Sequence, residues 1–444
     1  MTAPITTAPN TAAPTTTETA APERGHGMLA RLFSHDRLIW WLLLVAGVIR
    51  VAALVDKGVT YDGGFGDAIG YMASAKMLAT TGRLTFYGSW PSAIVMPGFV
   101  ALLAPAFLVT KVRFVQYLIV KIVMLVVSLA SIFALYLLGR RVAGRRAGLI
   151  SAALLTASFA HIYAGLLTLT ENVFGLLLLV LTLLVIRLGD EPGWRRFFAC
   201  LAVFCIALYV RQTALLSLPP ALIYLAMRRY PIHILARQTL VAILVIICAL
   251  SPWWFRNYVA FGEFVPFTTN GSYAFFEGTF QHFQPYDGRA FVAMDAVLKD
   301  AGSTEMEKDR ALARAARARM AQRWKSDPIA VLTDYGLMKP AAAWLLPFYW
   351  DKVLGVSGYW VLRLNALGSL MGLILLVWYS FRSRAKAEFA LLTMNVALIT
   401  AGASWYLGLS RYVYPYMPFL YVGIAYFLDA TIRRFAMIRS HPAT

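Results

Sequence analysis

Apolar stretches recur along the chain from Leu38 to Leu428, separated by short clusters of polar residues. A membrane-spanning helix needs roughly 20 mostly apolar residues. On that pattern spans are predicted near 38–55, 114–138, 149–167, 171–188, 196–210, 212–227, 238–255, 358–381, 387–408 and 412–431. The predicted fold class is an all-α polytopic membrane protein of about ten transmembrane helices. Two further helices are predicted in the first long connection. One covers 67–81 and stops at Gly82; the other covers 97–109, "PGFVALLAPAFLV". The second has only about 13 residues, too few to cross, so it is placed along or dipping into the membrane interface.

Charge orients this pattern. Arg31 and Arg37 precede the first span, and "GRRVAGRRAG", "GDEPGWRR", "RRYPIHILARQ", "RSRAK" and a final "RR" recur at alternate connections. Lys and Arg gather in cytoplasmic loops. Both termini are therefore expected in the cytoplasm of a multi-pass protein of the cell inner (plasma) membrane. The connections 56–112 and 256–355 then lie outside. If 97–109 spanned, the cluster at 139–148 would be outside instead, against the bias.

Composition agrees: 59% hydrophobic, 14% charged and a mean hydropathy of +0.64 exclude a soluble domain. The net charge of +19 is accounted for by the loop clusters, so no nucleic-acid partner is expected. Cys200, Cys205 and Cys248 all fall within spans and form no CxxC pair, which implies neither a disulfide framework nor a metal site. No cofactor is expected, and a divalent metal has no support in the sequence. Residues 1–28, rich in Thr, Ala and Pro, read as a disordered cytoplasmic tail. The transmembrane domain is expected over 29–431 and a cytoplasmic C-terminal tail over 432–444. At 303–328 an Ala/Arg helix is expected, opened by a Thr304/Glu307 capping box and stopped by Pro328. It is either a solvated surface helix or a contact for anionic membrane lipid.

The topology places Asp62, Asp67, Tyr71, His161, Glu171, Arg211, Arg256, Asn257, Lys339 and Arg411 at outer span ends or in outer loops, where they can converge. Ionisable residues at membrane depth are costly and usually paired or functional. Asp67 has two readings: an N-cap for the helix after it, or a general base that accepts a proton from an attacking hydroxyl. Asp62, in "YDGG", reads as a turn residue. Glu171 suits the first turn of an inward span. Arg211 sits between two spans with no room for a long loop. It needs an anionic partner, and Glu171 or a phosphate would serve. Arg411 has the same character. His161 stands alone and reads as a satisfied buried histidine. Aromatic residues such as those in "AAAWLLPFYW" are interfacial or stack on sugar rings.

"GDAIGYMASAKMLATTGRL" followed by "MPGFVALLAPAFLV", then "LLGRRVAGRRAGLISAALL", "LLTLTENVF", "VRQTALLSLPP", "RNYVAFGEFVPFTTNGSYAFFEGT" and "SRYVYPYMP", resembles the GT-C glycosyltransferases over roughly residues 38–430. It is most similar to the bacterial subgroup related to protein O-mannosyltransferases, the aminoarabinose transferase of lipid A and rhizobial lipopolysaccharide galacturonosyltransferases. The resemblance implies an inverting transfer of a hexosyl or pentosyl unit from a polyprenyl-phosphate-linked donor. The acceptor is a glycan, lipid or protein, and the reaction takes place on the extracytoplasmic face. It implies Asp67 as base, with Arg211, Arg411, Arg256 and Asn257 on the donor and its phosphate. Tyr71, Glu171 and Asp62 become pocket residues. The adjacent Asp-Glu of the O-mannosyltransferases is absent, since Gly66 and Ala68 flank Asp67. Two other classes remain in view. An O-antigen ligase or polymerase would use His282 and Arg289 in the large outer loop. A secondary transporter would place its polar residues at the bilayer midplane.

Overall fold

The structure, a computed structural model, describes residues 37–440. The predicted tail at 1–28 and residues 441–444 lie outside the described residues. Within them the chain is helical, with isolated bridges at Phe86–Ser89 and Val353–Val356 and no longer strand. Six helices are long and apolar enough to cross a bilayer: Arg37–Lys57, Arg113–Ala143, Thr170–Asp190, Ile232–Phe261, Gly358–Arg382 and Lys386–Trp405. A seventh forms if Arg145–Ala157 and Phe159–Leu166, bent by 59° about Ser158, are one span.

The expected count of ten goes beyond these. Predicted span 196–210 is the helix Trp194–Val210, of 17 residues. Span 212–227 divides into a 3-10 turn, Gln212–Ser217, and a helix, Leu218–Met227, because Pro219 and Pro220 force a new helix start. Span 412–431 divides into Ser410–Val413, a 3-10 turn Tyr414–Tyr416 and Met417–Ser440, with Pro415 at the break. The last helix continues past the boundary drawn at 431.

Burial separates the helices by role. In Thr170–Asp190, 72% of the apolar window is buried, against 11% in Ile232–Phe261. The first is the central helix; the second presents its apolar surface outward, as a helix against lipid does. Helices Arg113–Ala143 and Arg145–Ala157 pack through small residues. A Cβ on Gly148 would lie 2.7 Å from the Tyr136 carbonyl oxygen, so the two backbones approach closely only with glycine there.

Both long connections fold at one end of the bundle. In the first, the helix Gly66–Thr81 stops at Gly82, whose φ of 69° suits the left-handed stop and whose N–H donates to the Leu78 carbonyl. The apolar 97–109 stretch is two short helices, Pro97–Leu103 and Pro105–Val109, split at Pro105. In the second, Gly271–Gly278, Gly288–Lys299 and Glu305–Ser326 enclose a small core of Phe276, Phe280, Met294 and Leu312. The Thr304/Glu307 capping box forms as the spacing predicts: the Glu307 N–H donates to Thr304 Oγ1 (3.2 Å), and the Thr304 N–H to Glu307 Oε2 (3.0 Å). Such a cap contributes about 1 kcal/mol.

Polar ties hold these connecting segments down. Glu305 Oε1 accepts from the Ala93 N–H (2.8 Å) and Thr269 Oγ1 (2.6 Å). Asp351 accepts from Lys57 Nζ (2.8 Å) and the Tyr61 hydroxyl (2.9 Å), bringing the 346–356 segment over the first long connection. Lys121, buried within its apolar helix, donates to the Tyr61 carbonyl (2.6 Å) and to the Leu166 carbonyl, fixing the same loop from below.

Candidate active site

The helix Gly66–Thr81 begins one residue before Asp67. Its N-cap is Phe65, which provides no side-chain hydrogen bond, and Asp67 lies in the first turn. The N-cap reading of Asp67 is therefore corrected: its carboxylate does not cap the helix. It points sideways and accepts from Arg411 Nη1 (2.8 Å) at Oδ2 and from the Tyr87 hydroxyl at Oδ1. The turn reading of Asp62 holds. Its Oδ1 accepts from the Gly64 N–H (2.9 Å), which bends the chain into the helix.

Arg411 reaches Asp67 because of the broken start of the last helix. Pro415 packs on Gly175, 3.6 Å from where its Cβ would stand, and the Tyr414 hydroxyl donates to Asn172 Oδ1 (2.7 Å). The short turn Ser410–Val413 is thereby held against the start of the central helix, where Glu171 lies. Arg411 Nε donates to Glu171 Oε1 (2.7 Å), and Arg211 Nη1 lies 2.9 Å from the same oxygen. Arg211 also donates to Thr170 Oγ1 (2.9 Å). The result is a continuous array in the order Arg211, Glu171, Arg411, Asp67, Tyr87.

Exposure grades along this array. The Glu171 side chain is 1% exposed, Arg411 12%, Arg211 16% and Asp67 35%. The inner carboxylate anchors two guanidinium groups, and the outer one is open to water. Buried charges of this kind persist only when paired, and the two cations and two anions here balance. Tyr71, expected in the pocket, is buried beneath the array and packs edge-on against Phe86 and Phe99, with ring centroids 5.2 and 4.9 Å away. Burial, then the nearby Asp67 charge, raises the pKa of Tyr87, so it stays a neutral donor to that carboxylate.

An aromatic wall adjoins the array. The Arg411 guanidinium lies 5.8 Å from the Phe65 ring centre, Phe65 is 4.3 Å from Trp350, and Trp350 is 5.9 Å from Tyr286. Trp350 and Tyr286 are 41% and 48% exposed, leaving faces on which a sugar ring can stack.

Arg256 and Asn257 are not brought to this array. The helix carrying them continues to Phe261. Arg256 donates to the Ser92 (2.8 Å) and Leu84 (3.2 Å) carbonyls, and Asn257 to the Val265 carbonyl (3.1 Å). Arg256 thereby braces the loop that carries Tyr87, and Asn257 Oδ1 accepts from Arg256 Nη1 (2.9 Å). His161 is buried and satisfied: its Nδ1 is 2.7 Å from Arg50 Nη2, so that nitrogen accepts. Lys339 is buried, donates to the Tyr406 carbonyl (3.2 Å), and sits over the Tyr335 ring. His282 pairs with Asp334 (2.9 Å) and Arg289 with Asp287, each apart from the array.

Sequence reasoning passed over Tyr87, Lys121 and Phe65, while Trp350 lies in the aromatic stretch expected to be interfacial or to stack on sugar rings. Lys121 had a signal, as the lone charge in the apolar run 114–138. Tyr87 had none, because nothing local marks it as a partner for Asp67. Among the described residues no three His, Cys, Asp or Glu side chains converge to hold a metal ion. Both acids of the array already accept from guanidinium groups.

Residues 95–255 match the family model described as dolichyl-phosphate-mannose-protein mannosyltransferase. No curated protein matches significantly. Among solved structures the chain is similar to the archaeal oligosaccharyltransferase AglB from Archaeoglobus fulgidus, in complex with an inhibitory peptide and a dolichol-phosphate. Identity is 13% and the TM-score 0.55, over 92% of this chain and 52% of that one. A second Archaeoglobus fulgidus oligosaccharyltransferase structure, tethered to an acceptor peptide, gives 12% identity and a TM-score of 0.50 over 92% and 51%. ArnT from Cupriavidus metallidurans, bound to undecaprenyl phosphate, gives 13% identity and a TM-score of 0.43 over 82% and 77%. The chain spans about half the length of the oligosaccharyltransferases it matches.

Proposed function

We propose that this chain, whose fold is that of the GT-C membrane glycosyltransferases, transfers a sugar from a polyprenyl-phosphate donor to an acceptor on the extracytoplasmic face of the plasma membrane, with Asp67 as general base. The observation that carries the reading is Arg411, held between Glu171 and Asp67. A guanidinium shared by one buried and one open carboxylate is poised to exchange the open one for an incoming phosphate. The dolichyl-phosphate-mannose description of the matching family and the dolichol-phosphate bound to the AglB neighbour support a lipid-phosphate donor.

The chemistry follows from the array. The donor phosphate takes up Arg411 and Arg211, whose planar forks match its oxygens, while Glu171 keeps both guanidinium groups in place. Arg411 then releases Asp67 Oδ2, and Tyr87 still orients the carboxylate through Oδ1. The acceptor hydroxyl gives its proton to Asp67, and its oxygen attacks the anomeric carbon on the face opposite the phosphate. The carbon–oxygen bond to phosphate breaks, its electron pair leaving with the phosphate, and the anomeric configuration inverts. The two guanidinium groups stabilise the charge that develops on the departing phosphate.

Intact-cell profiling of glycolipids and glycans in a deletion strain tests this function. One sugar modification should be lost while its polyprenyl-phosphate-linked precursor accumulates; an unchanged profile contradicts it. The orientation has its own check. Arg83→Cys, on the exposed loop after Gly82, should react with an impermeant thiol reagent in intact cells whose outer barrier is opened. Reaction only after the inner membrane is lysed would reverse the topology.

A further inference from the structure

The helix Gly271–Gly278 carries Glu277, a buried acid, 5% exposed. Among the described residues its Oε1 has no hydrogen-bond partner. A buried carboxylate without a partner is costly, and native structures seldom leave one. Nearby acids hold partners: Asp67 and Glu171 accept from guanidinium groups, Glu305 Oε1 from Ala93 and Thr269, and Asp334 from Arg323 and His282.

The position of Glu277 is fixed from two sides. A Cβ on the next residue, Gly278, would lie 1.6 Å from the Tyr406 carbonyl oxygen, so only glycine lets the helix end press on that segment. Gln281 then holds the Gly408 backbone in both directions, Nε2 to its carbonyl (3.1 Å) and Oε1 from its N–H (2.7 Å). This clamped segment leads directly into Arg411. Glu277 accordingly lies within electrostatic reach of Tyr286 and Tyr412, and both of these are also within reach of Asp67 and Arg411. Tyr412 in turn has the Arg211 guanidinium 5.8 Å from its ring centre.

We propose that Glu277 binds hydroxyl groups of the sugar being transferred and so helps set which sugar the site accepts. This rests on the glycosyltransferase reading above. The chemistry it needs is what a sugar offers: a carboxylate accepts from two adjacent hydroxyls at once, and the exposed rings of Tyr286 and Tyr273 offer faces for the pyranose or furanose ring. In its charged form Glu277 repels phosphate, so it addresses the sugar while Arg211 and Arg411 address the phosphate. Burial pushes its carboxyl up to about 7, and hydroxyls that donate to it favour the charged form.

The test separates the two parts of the donor. Purified protein in nanodiscs is titrated with undecaprenyl phosphate alone and with a panel of hexosyl and pentosyl phosphoryl-undecaprenols. Wild type should bind at least one sugar-bearing lipid about tenfold or more tightly than the bare phosphate. Glu277→Ala should remove most of that difference while changing the affinity for undecaprenyl phosphate by less than about twofold, and the isosteric Glu277→Gln should lose part of it. Equal affinity of wild type for bare and sugar-bearing lipids overturns the inference, as does a preference that survives in Glu277→Ala. A parallel loss for both lipids assigns Glu277 a structural role and overturns it too. Failure of wild type to bind undecaprenyl phosphate at all would instead remove the lipid-phosphate reading on which the inference depends.

Discussion

Asp67→Asn should lower the rate of sugar transfer by about 10²- to 10⁴-fold, the usual contribution of a positioned general base, with expression and membrane insertion unchanged. The amide keeps the shape of the side chain. Its oxygen can still accept from Tyr87 or Arg411, so the loop stays in place. What it loses is the capacity to take a proton. Asp62→Asn is the matched control. Asp62 makes only the turn contact to the Gly64 N–H, which an Asn oxygen also makes, so its rate should stay within about twofold. Comparable rates in wild type and Asp67→Asn, assayed with the polyprenyl-linked sugar that wild type uses, would remove Asp67 from the role of base.

Glu171→Gln should be the most destabilising single change at the site. Glu171 is 1% exposed and holds two guanidinium groups that are themselves 12% and 16% exposed. Arg411 keeps Asp67 as an anionic partner, but Arg211 is left with neutral contacts only: the Thr170 hydroxyl, the Tyr412 ring and the new amide oxygen. Removing one member of a buried ion pair costs about 3–5 kcal/mol, because the remaining charge stays buried without compensation. Thermal unfolding in detergent should show a marked fall in Tm, and transfer should be lost with it. Retained stability would mean that the guanidinium groups are positioned by something other than this carboxylate.

The parts of this account that were legible in the sequence share one property. Asp67, Glu171, Arg211 and Arg411 are charges in otherwise apolar surroundings, and the alternation of spans puts their ends on one side of the bundle. Cost alone marks such residues, and the structure joins all four. The Thr304/Glu307 box and the stop at Gly82 were legible because capping is local chemistry. What the sequence hid is equally physical. An Asp just before an apolar helix carries the N-cap signature, yet here the helix starts one residue earlier. Its competing partner, Arg411, lies 344 positions away along the chain. Arg256 and Asn257 looked like a polar span end facing a donor. Their partners are backbone carbonyls at Leu84, Ser92 and Val265, and a carbonyl leaves no trace in residue type. Prolines at 219, 220 and 415 break what apolarity alone reads as continuous spans, and the count of ten exceeds the helices that qualify by length and composition.

The Tyr87 loop shows how distant residues reach the site. Arg256 fixes the Leu84 and Ser92 carbonyls, and Glu305 fixes the Ala93 N–H. Tyr87 is thereby set against Asp67, so the orientation of that carboxylate depends on groups outside the array. The segment 346–356, tied to Lys57 and Tyr61 through Asp351, sets Trp350 against Phe65 in the same way. Both long connections thus serve as supports for one array, which accounts for their polar ties to each other and to the bundle.

The central claim is that Arg411 and Arg211 form a lipid-phosphate site whose occupation frees Asp67. Binding of undecaprenyl phosphate to the purified protein in nanodiscs, compared between wild type and the Arg211→Ala/Arg411→Ala double variant, tests it most directly. The account predicts saturable binding by wild type, weakened with rising salt as a charge-assisted contact is, and a loss of at least tenfold in the double variant. Equal binding by the two proteins, or none by wild type, would contradict it.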